Sequence, residues 1–490
     1  MQSPWVAETR WPSPSPARPF PVDPAPRTLL LLTLGAGIAL DIGVRGGVHN
    51  VIIVVGVVCV VVVLVTNRRV ERAAARRLAL MALVPAAFLA LRTSPWLAVS
   101  NLAATAVLLG LAVSFSRSGS VGDTTPVAIV RRAGAAVGRA PRGPVLLRHA
   151  LPRHGQGLAR HGGRIGRAVL TAVPILAIVI ALLASADPVF KGMVVPHAHP
   201  AALVGHLALI TIFVVCTLGT AAAALGDARP EARPGRFGTL EIVVMLTLAV
   251  AVLTLFAVAQ LVALSGAGHR LIVEAGMTPA EYARRGFFQL CWATGTLVAF
   301  LAIVRGLAAP GVFDRAAVRV LSGVVPLLAI GLVVVSVRRM ALYDAAFGMT
   351  MLRLWVVGVA VWMGLLLAMF VARNVGIGGS RSWLLAAAGS TALVLIMVAN
   401  VANPEAFVVH HNVARAEGGR AFDPGYLVEL SDDAFPAVVG AMEHSRSHGV
   451  RAALRQAFSC GSPSTGVAAL NLAANRADTA RRGLCSSPRP

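Results

Sequence analysis

The side chains best equipped for chemistry in this sequence fall in three short stretches. Glu281, Arg284 and Arg285 lie within Met277–Phe288, Tyr343 and Asp344 lie with Arg353 within Arg339–Arg353, and Asp187 sits in Ser185–Phe190. Arginines and carboxylates gathered at a membrane mouth can hold an anionic lipid or a cell-wall precursor, or pass a proton to a substrate. The same groups can equally form salt bridges that lock a helix bundle. Histidines make a second set: His197, His199 and His206, followed much later by His410 and His411. Metal binding there is a weak expectation, because no cysteine or acid completes a ligand set. The acids at the ends of apolar runs, Asp41, Asp187 and Glu241, can be solvated by water or by a nearby arginine. With no acid at the middle of a run, an ion-coupled pathway has little support.

Other chemistry is excluded by missing motifs. The sequence contains no HExxH, GxSxG, GxGxxG or GxxxxGK pattern, and Lys191 is its single lysine. Zincin, α/β-hydrolase, dinucleotide and phosphate-loop chemistry therefore have no footing, and no cofactor is expected. Of the five cysteines, Cys59, Cys216 and Cys291 lie in apolar runs, whereas Cys460 and Cys485 lie in the polar C-terminal part. In an oxidising compartment those last two are a candidate disulfide.

The elements that must position these groups follow from composition. Of 490 residues, 57% are apolar and only 13% charged. Water-soluble proteins carry about 25% charge, so this chain predicts an all-α, multi-pass integral membrane bundle. Runs long enough to cross occur at 28–44, 50–66, 78–91, 95–115, 168–187, 201–225, 239–264, 287–307, 317–337, 353–373 and 383–403. That makes about eleven transmembrane helices, of which 28–44, carrying Asp41, and 78–91, short and interrupted by Pro85, are the least regular. Five segments follow: a Pro-rich, disordered stretch at 1–27, four helices over 28–115, an Arg-rich loop at 116–167, seven helices over 168–403 and a small helical tail at 404–490.

Charge sets the expected orientation. Lys and Arg outnumber Asp and Glu by 44 to 21, a net charge of +23. With the N-terminus cytoplasmic, inner segments hold 26 basic residues and outer loops 9. That is the asymmetry of the positive-inside rule. The 116–167 loop is then cytoplasmic and the tail extracytoplasmic. Within the loop, arginines from Arg117 to Arg167 alternate with small and apolar residues, which suits contact with anionic lipid. No aromatic platform accompanies the charge, so no nucleic-acid partner is expected.

Local signals punctuate the pattern. Thr278 can cap a helix with Pro279 in its first position, and Glu281 can close a capping box and reach Arg285 one turn on. Gly348 can end a short helical turn and Thr350 can cap the next helix. A third stretch contains Asn403-Pro404-Glu405-Ala406, Asn412, Arg415, Asp423, Tyr426 and Leu430-Ser431-Asp432-Asp433. With Arg92-Thr93-Ser94-Pro95, Asn101, Ser185–Phe190 and Asn471-Leu472, these stretches resemble a bacterial family of multi-pass membrane proteins without assigned activity. It is number four-one-seven-three of the domain-of-unknown-function series, close to number four-one-five-three, and the resemblance runs over about 78–480. Its closing motif departs here, with Leu470 where an aromatic residue precedes the asparagine. The resemblance implies an envelope protein of the bacterial cell membrane and supplies no reaction. The expectation is a non-enzymatic envelope or signalling component. A transporter, or an enzyme acting on a lipid-linked or anionic substrate at the outer face, is the alternative.

Overall fold

The structure, a computed structural model, describes residues 27–66, 73–116, 237–264, 279–377, 383–460 and 470–486, with isolated positions at 206, 209, 210, 213, 214, 217 and 466. The described residues fold as helices, and their only strand-like pairing is an isolated bridge between Phe237 and Ala308.

Five helices form the first group: α1 (Arg27–Arg45), α2 (Val51–Thr66), α3 (Ala73–Met81), α4 (Leu83–Phe88) and α5 (Pro95–Ser114). Valines and alanines from α2, α3, α4 and α5 make its core, among them Val57, Val61, Ala79, Ala86 and Ala112. Helices α1 and α2 approach closely through Gly56, where an added Cβ would lie 2.7 Å from the Leu40 side chain. Small residues at such crossings substitute for a hydrophobic driving force, which is weak between helices in lipid. The apolar run at 78–91 is not one helix: it is divided between α3 and α4, with Pro85 inside the second piece. Proline lacks the N–H that an unbroken ladder needs.

The second group is α6 (Thr239–Leu264), α7 (Pro279–Leu307), α8 (Ala316–Phe347) and α9 (Met351–Asn374), with α10 (Trp383–Ala402) beside α5 and α9. Ile242, Leu246, Leu301, Val325, Ala329 and Leu367 are central to their shared core. Helix α8 absorbs the short turn expected near Gly348 into one element of 32 residues. At 1.5 Å per residue it is about 48 Å long, more than the roughly 30 Å thickness of a bilayer's hydrocarbon layer.

Among the described residues, five helices are long and apolar enough to cross a membrane: α5, the 239–258 part of α6, α8, α9 and α10. Shorter apolar helices occur at Val51–Thr66 and Leu290–Gly306. The run at 168–187 lies outside the described residues, and 201–225 is described only at six positions.

The C-terminal part is α11 (Pro404–Glu417), α12 (Pro424–Val428), α13 (Phe435–His444), α14 (His448–Ala457) and α15 (Leu472–Ser486). Its helix starts are written locally. Asn403, Asp423 and Ser447 accept from the N–H three residues on, at 3.2, 3.1 and 3.4 Å, and proline opens both α11 and α12. Val408, Val409, Leu427, Val438, Met442 and Leu454 form a core of their own, joined by Met351 from α9.

The connections sort to two ends. Leu470 accepts from Val51 at the α1–α2 turn, Leu472 donates to Ala90 after α4, and Asn412 grips the α8–α9 turn, so these turns share one end with the C-terminal helices. At the other end, Ala309 donates to Phe237 at 2.9 Å and Asn374 donates to Arg319 at 2.6 Å.

Candidate functional site

The expected outer-face cluster divides. Asp187, His197 and His199 lie outside the described residues, as does Thr278. Glu281, Arg284 and Arg285 fall in the first two turns of α7, which begins at Pro279, but their side chains are likewise outside the described part.

Tyr343, Asp344 and Arg353 do come together, around the turn between α8 and α9. The Arg353 guanidinium stacks 4.2 Å from the Tyr343 ring centre and donates to the Gly348 carbonyl. Asp344 Oδ2 lies 2.9 Å from His411 Nε2, and Arg415 donates to the Asp344 and Ala345 carbonyls at 2.8 and 2.9 Å. Thr350 caps α9 by accepting from Arg353 N–H. The turn itself is held by α11. Asn412 Oδ1 accepts from Met349 N–H at 3.0 Å, and its Nδ2 donates to the Met349 carbonyl at 2.8 Å. Tyr426 Oη accepts from Met351 N–H at 2.8 Å, and burial pushes its phenol above the ordinary range. Gly348 has φ +79°, and a side chain there would collide with Asn412. A bulkier residue would face both backbone strain and that collision.

His206 is not part of a metal site among the described residues, which contain no cluster of potential ligands. Its Nδ1 meets Asp41 Oδ2 at 2.5 Å, while Arg45 holds the other oxygen at 2.9 Å. Among the described residues His410 has no such contact with an acid, whereas His411 pairs with Asp344. Cys460 and Cys485 are joined by a disulfide, with Cα atoms 6.2 Å apart. It ties the end of the segment after α14 to the end of α15.

The densest polar assembly is one whose fragments are visible in the sequence but whose site is not. Asp433, with its side chain fully buried, accepts from the N–H groups of Thr93 and Ser94 through Oδ2, both at 2.9 Å. Those are the last two residues before Pro95 starts α5, so the carboxylate serves the positive end of that helix from 339 residues away. Arg92 pairs with Asp433 Oδ1 at 3.4 Å and donates to the carbonyls of Asn400 and Val401 at 2.8 and 3.3 Å, closing the end of α10. About two turns into α5, Asn101 exchanges amide hydrogen bonds of 2.9 and 2.8 Å with Asn400 on α10, both side chains fully buried.

The same assembly reaches further. Asn403, at φ 51°, donates to the Asp433 carbonyl at 2.8 Å. The Ser431 hydroxyl donates to Glu405 Oε2 at 2.6 Å and accepts from Thr93 and from Asp433 N–H. Burial pushes the Glu405 carboxyl above its ordinary 4.5; the Ser431 hydrogen bonds act against that and nearby Asp433 adds to it. Asn471 donates to the Leu89 and Arg92 carbonyls at 3.1 and 3.0 Å. His49 is pushed below its ordinary 6.5 by burial, opposed by Asp433 and the Arg92 backbone. Arg481 reaches Asp432 at 2.5 Å and covers the Phe435 ring. A cavity of about 310 Å³ opens beside Arg92, Asp433 and Arg476.

Each carboxylate oxygen of Asp433, the paired amides and the Ser431 hydroxyl already have protein partners. Chemically, this suits cross-linking of segments better than turnover of a substrate. The sequence does hold one usable signal: Asn101 and Asn400 stand in apolar runs, where a side-chain amide needs a partner.

No curated protein and no solved structure matches the chain. A family model does match residues 78–441, described as a domain of unknown function, DUF4153. This is the second of the two related families that the sequence resembles. The match takes in Arg92, Asn101, Asn400, Glu405 and Asp433, and stops before Asn471 and the disulfide. With about three quarters of its length inside that match, this chain belongs to the DUF4153 family.

Proposed function

We propose that this protein is a non-enzymatic component of the bacterial cell envelope, an integral membrane protein whose extracytoplasmic helices latch the ends of its spans together. The observation that carries the reading is Asp433: one buried carboxylate in the C-terminal part binds the start of α5 and, through Arg92, the end of α10. In this reading all eleven apolar runs cross the membrane, and the N-terminus and the Arg-rich loop at 116–167 face the cytoplasm. The loop then rests on anionic lipid, and the C-terminal helices face outward. The latch fixes the relative positions of spans drawn from both helix groups. That suits a scaffold or a signalling element that must keep or change one arrangement.

Orientation is tested with a reporter active only in the cytoplasm. Fused after Leu146 it should work, and fused after Pro463 it should not. The reverse pattern would overturn the placement. The latch reading is tested in spheroplasts, where protease added from outside should cleave the C-terminal helices only after Arg92 and Asp433 have both been replaced by alanine. Equal resistance in both proteins would count against it.

A further inference from the structure

The end of the bundle away from the C-terminal helices contains a cavity of about 810 Å³ with an uneven lining. Arg305 at the end of α7, Arg319 in α8 and Arg373 at the end of α9 all border it, with Asn374 beside them. Leu366 and Phe370 from α9 and Leu384 and Leu385 from α10 supply an apolar wall. From this lining we infer that the cavity is a binding site for an anionic lipid, with the phosphate among the arginines and an acyl chain along the apolar wall.

Three facts support the assignment. First, among the described residues that line the cavity the charges are unequal: three carry guanidinium groups and Asp314 carries a carboxylate. Second, among the described residues no carboxylate forms an ion pair with Arg305 or Arg319; Arg305 stacks 4.6 Å from the Phe313 ring centre and Arg319 reaches only the Asp314 carbonyl, at 3.3 Å. Gathered cations at the edge of hydrocarbon are costly unless an anion joins them, and arginine is the side chain best shaped for phosphate. Third, the apolar wall is built from spans, and α10 is the least covered of the five long apolar helices, with 6% of its span buried. A soluble anion would have no use for that wall, whereas a lipid matches both halves of the lining. The inference holds whichever end of the bundle faces the cytoplasm.

The test uses the full-length protein, stripped of lipid in a neutral detergent and followed by native mass spectrometry and thermal melting. Phosphatidylglycerol should leave a retained adduct and raise the melting temperature, while phosphatidylcholine should do neither. Arg305→Gln with Arg373→Gln should weaken retention by about ten-fold or more, since a hydrogen bond to a charged group contributes about 1.5–3 kcal/mol. Arg319→Gln, at an exposed position, gives a milder variant should the double one fail to fold. Arg455→Gln, exposed in α14 at the opposite end of the bundle, should leave the retained adduct unchanged. Full retention in the cavity variants, or a loss in Arg455→Gln as large as theirs, would overturn the site. A melting shift from inorganic phosphate as large as that from phosphatidylglycerol would overturn the lipid assignment.

Discussion

The two ends of this helix bundle handle charge in opposite ways. At the C-terminal end Asp433, Arg92, Glu405 and five asparagines are packed among partners, so that most of their polar atoms are bonded within the protein. At the other end Arg305, Arg319 and Arg373 surround a cavity more than twice the volume of the one beside the latch. The difference teaches where to look for each kind of role. A saturated polar network holds segments in place, whereas a set of like charges left around a space asks for a counter-charge from elsewhere.

Breaking the saturated end should have the largest effect. Asp433→Ala leaves the Arg92 guanidinium and the N–H groups of Thr93 and Ser94 without their buried acceptor. Removing one member of a buried pair costs about 3–5 kcal/mol, and thermal melting in detergent should show a loss of that order. Removing the cross-link by Cys460→Ser should cost about 3 kcal/mol, because it frees a loop closed over 25 residues. In intact cells, a thiol reagent that labels neither cysteine without reductant would agree with an oxidised pair facing outward.

Smaller effects sharpen the comparison. Asn412→Ala strips both hydrogen bonds from Met349 at the α8–α9 turn and should cost about 1–3 kcal/mol. Glu405→Gln should stabilise the protein at neutral pH. The folded-state pKa of Glu405 is raised, so its favourable contribution is complete below the ordinary 4.5 and is lost as pH rises through the folded value. Glutamine stays neutral and can still accept from Ser431, so the two melting curves should converge in acid and separate towards neutral pH. An unchanged pH profile would argue that Glu405 is solvated. Last, Arg305→Gln in lipid-free detergent should cost no more than about 1 kcal/mol, because what it gives up is stacking on the Phe313 ring and not a buried ion pair. A loss approaching that of Asp433→Ala would erase the contrast between the two ends.

Much of the helical framework is legible in the sequence because its signals are local. Apolar runs at 239–264, 353–373 and 383–403 become α6, α9 and α10 with ends shifted by a few residues at most. Asn403, Asp423, Ser447 and Thr350 cap the helices that follow them, since a cap needs a side chain only three residues from its N–H. The site is another matter. Tyr343, Asp344 and Arg353 stand out as charged or aromatic neighbours, and they do meet, yet the groups that hold their turn, Asn412 and Tyr426, come from the C-terminal part.

Sequence alone determined that the chain is helical and rich in spans, because hydrophobicity and capping act over one to twenty residues and are written in order along the chain. Only the tertiary structure decided that Asp433 would serve the start of α5, that Asn101 would find Asn400, and that three arginines from three helices would border one cavity. Those pairings join positions as much as 340 residues apart. A buried polar group in an apolar run shows that a partner must exist, but which partner depends on how the helices pack, and packing energy is spread over surfaces that no local pattern encodes.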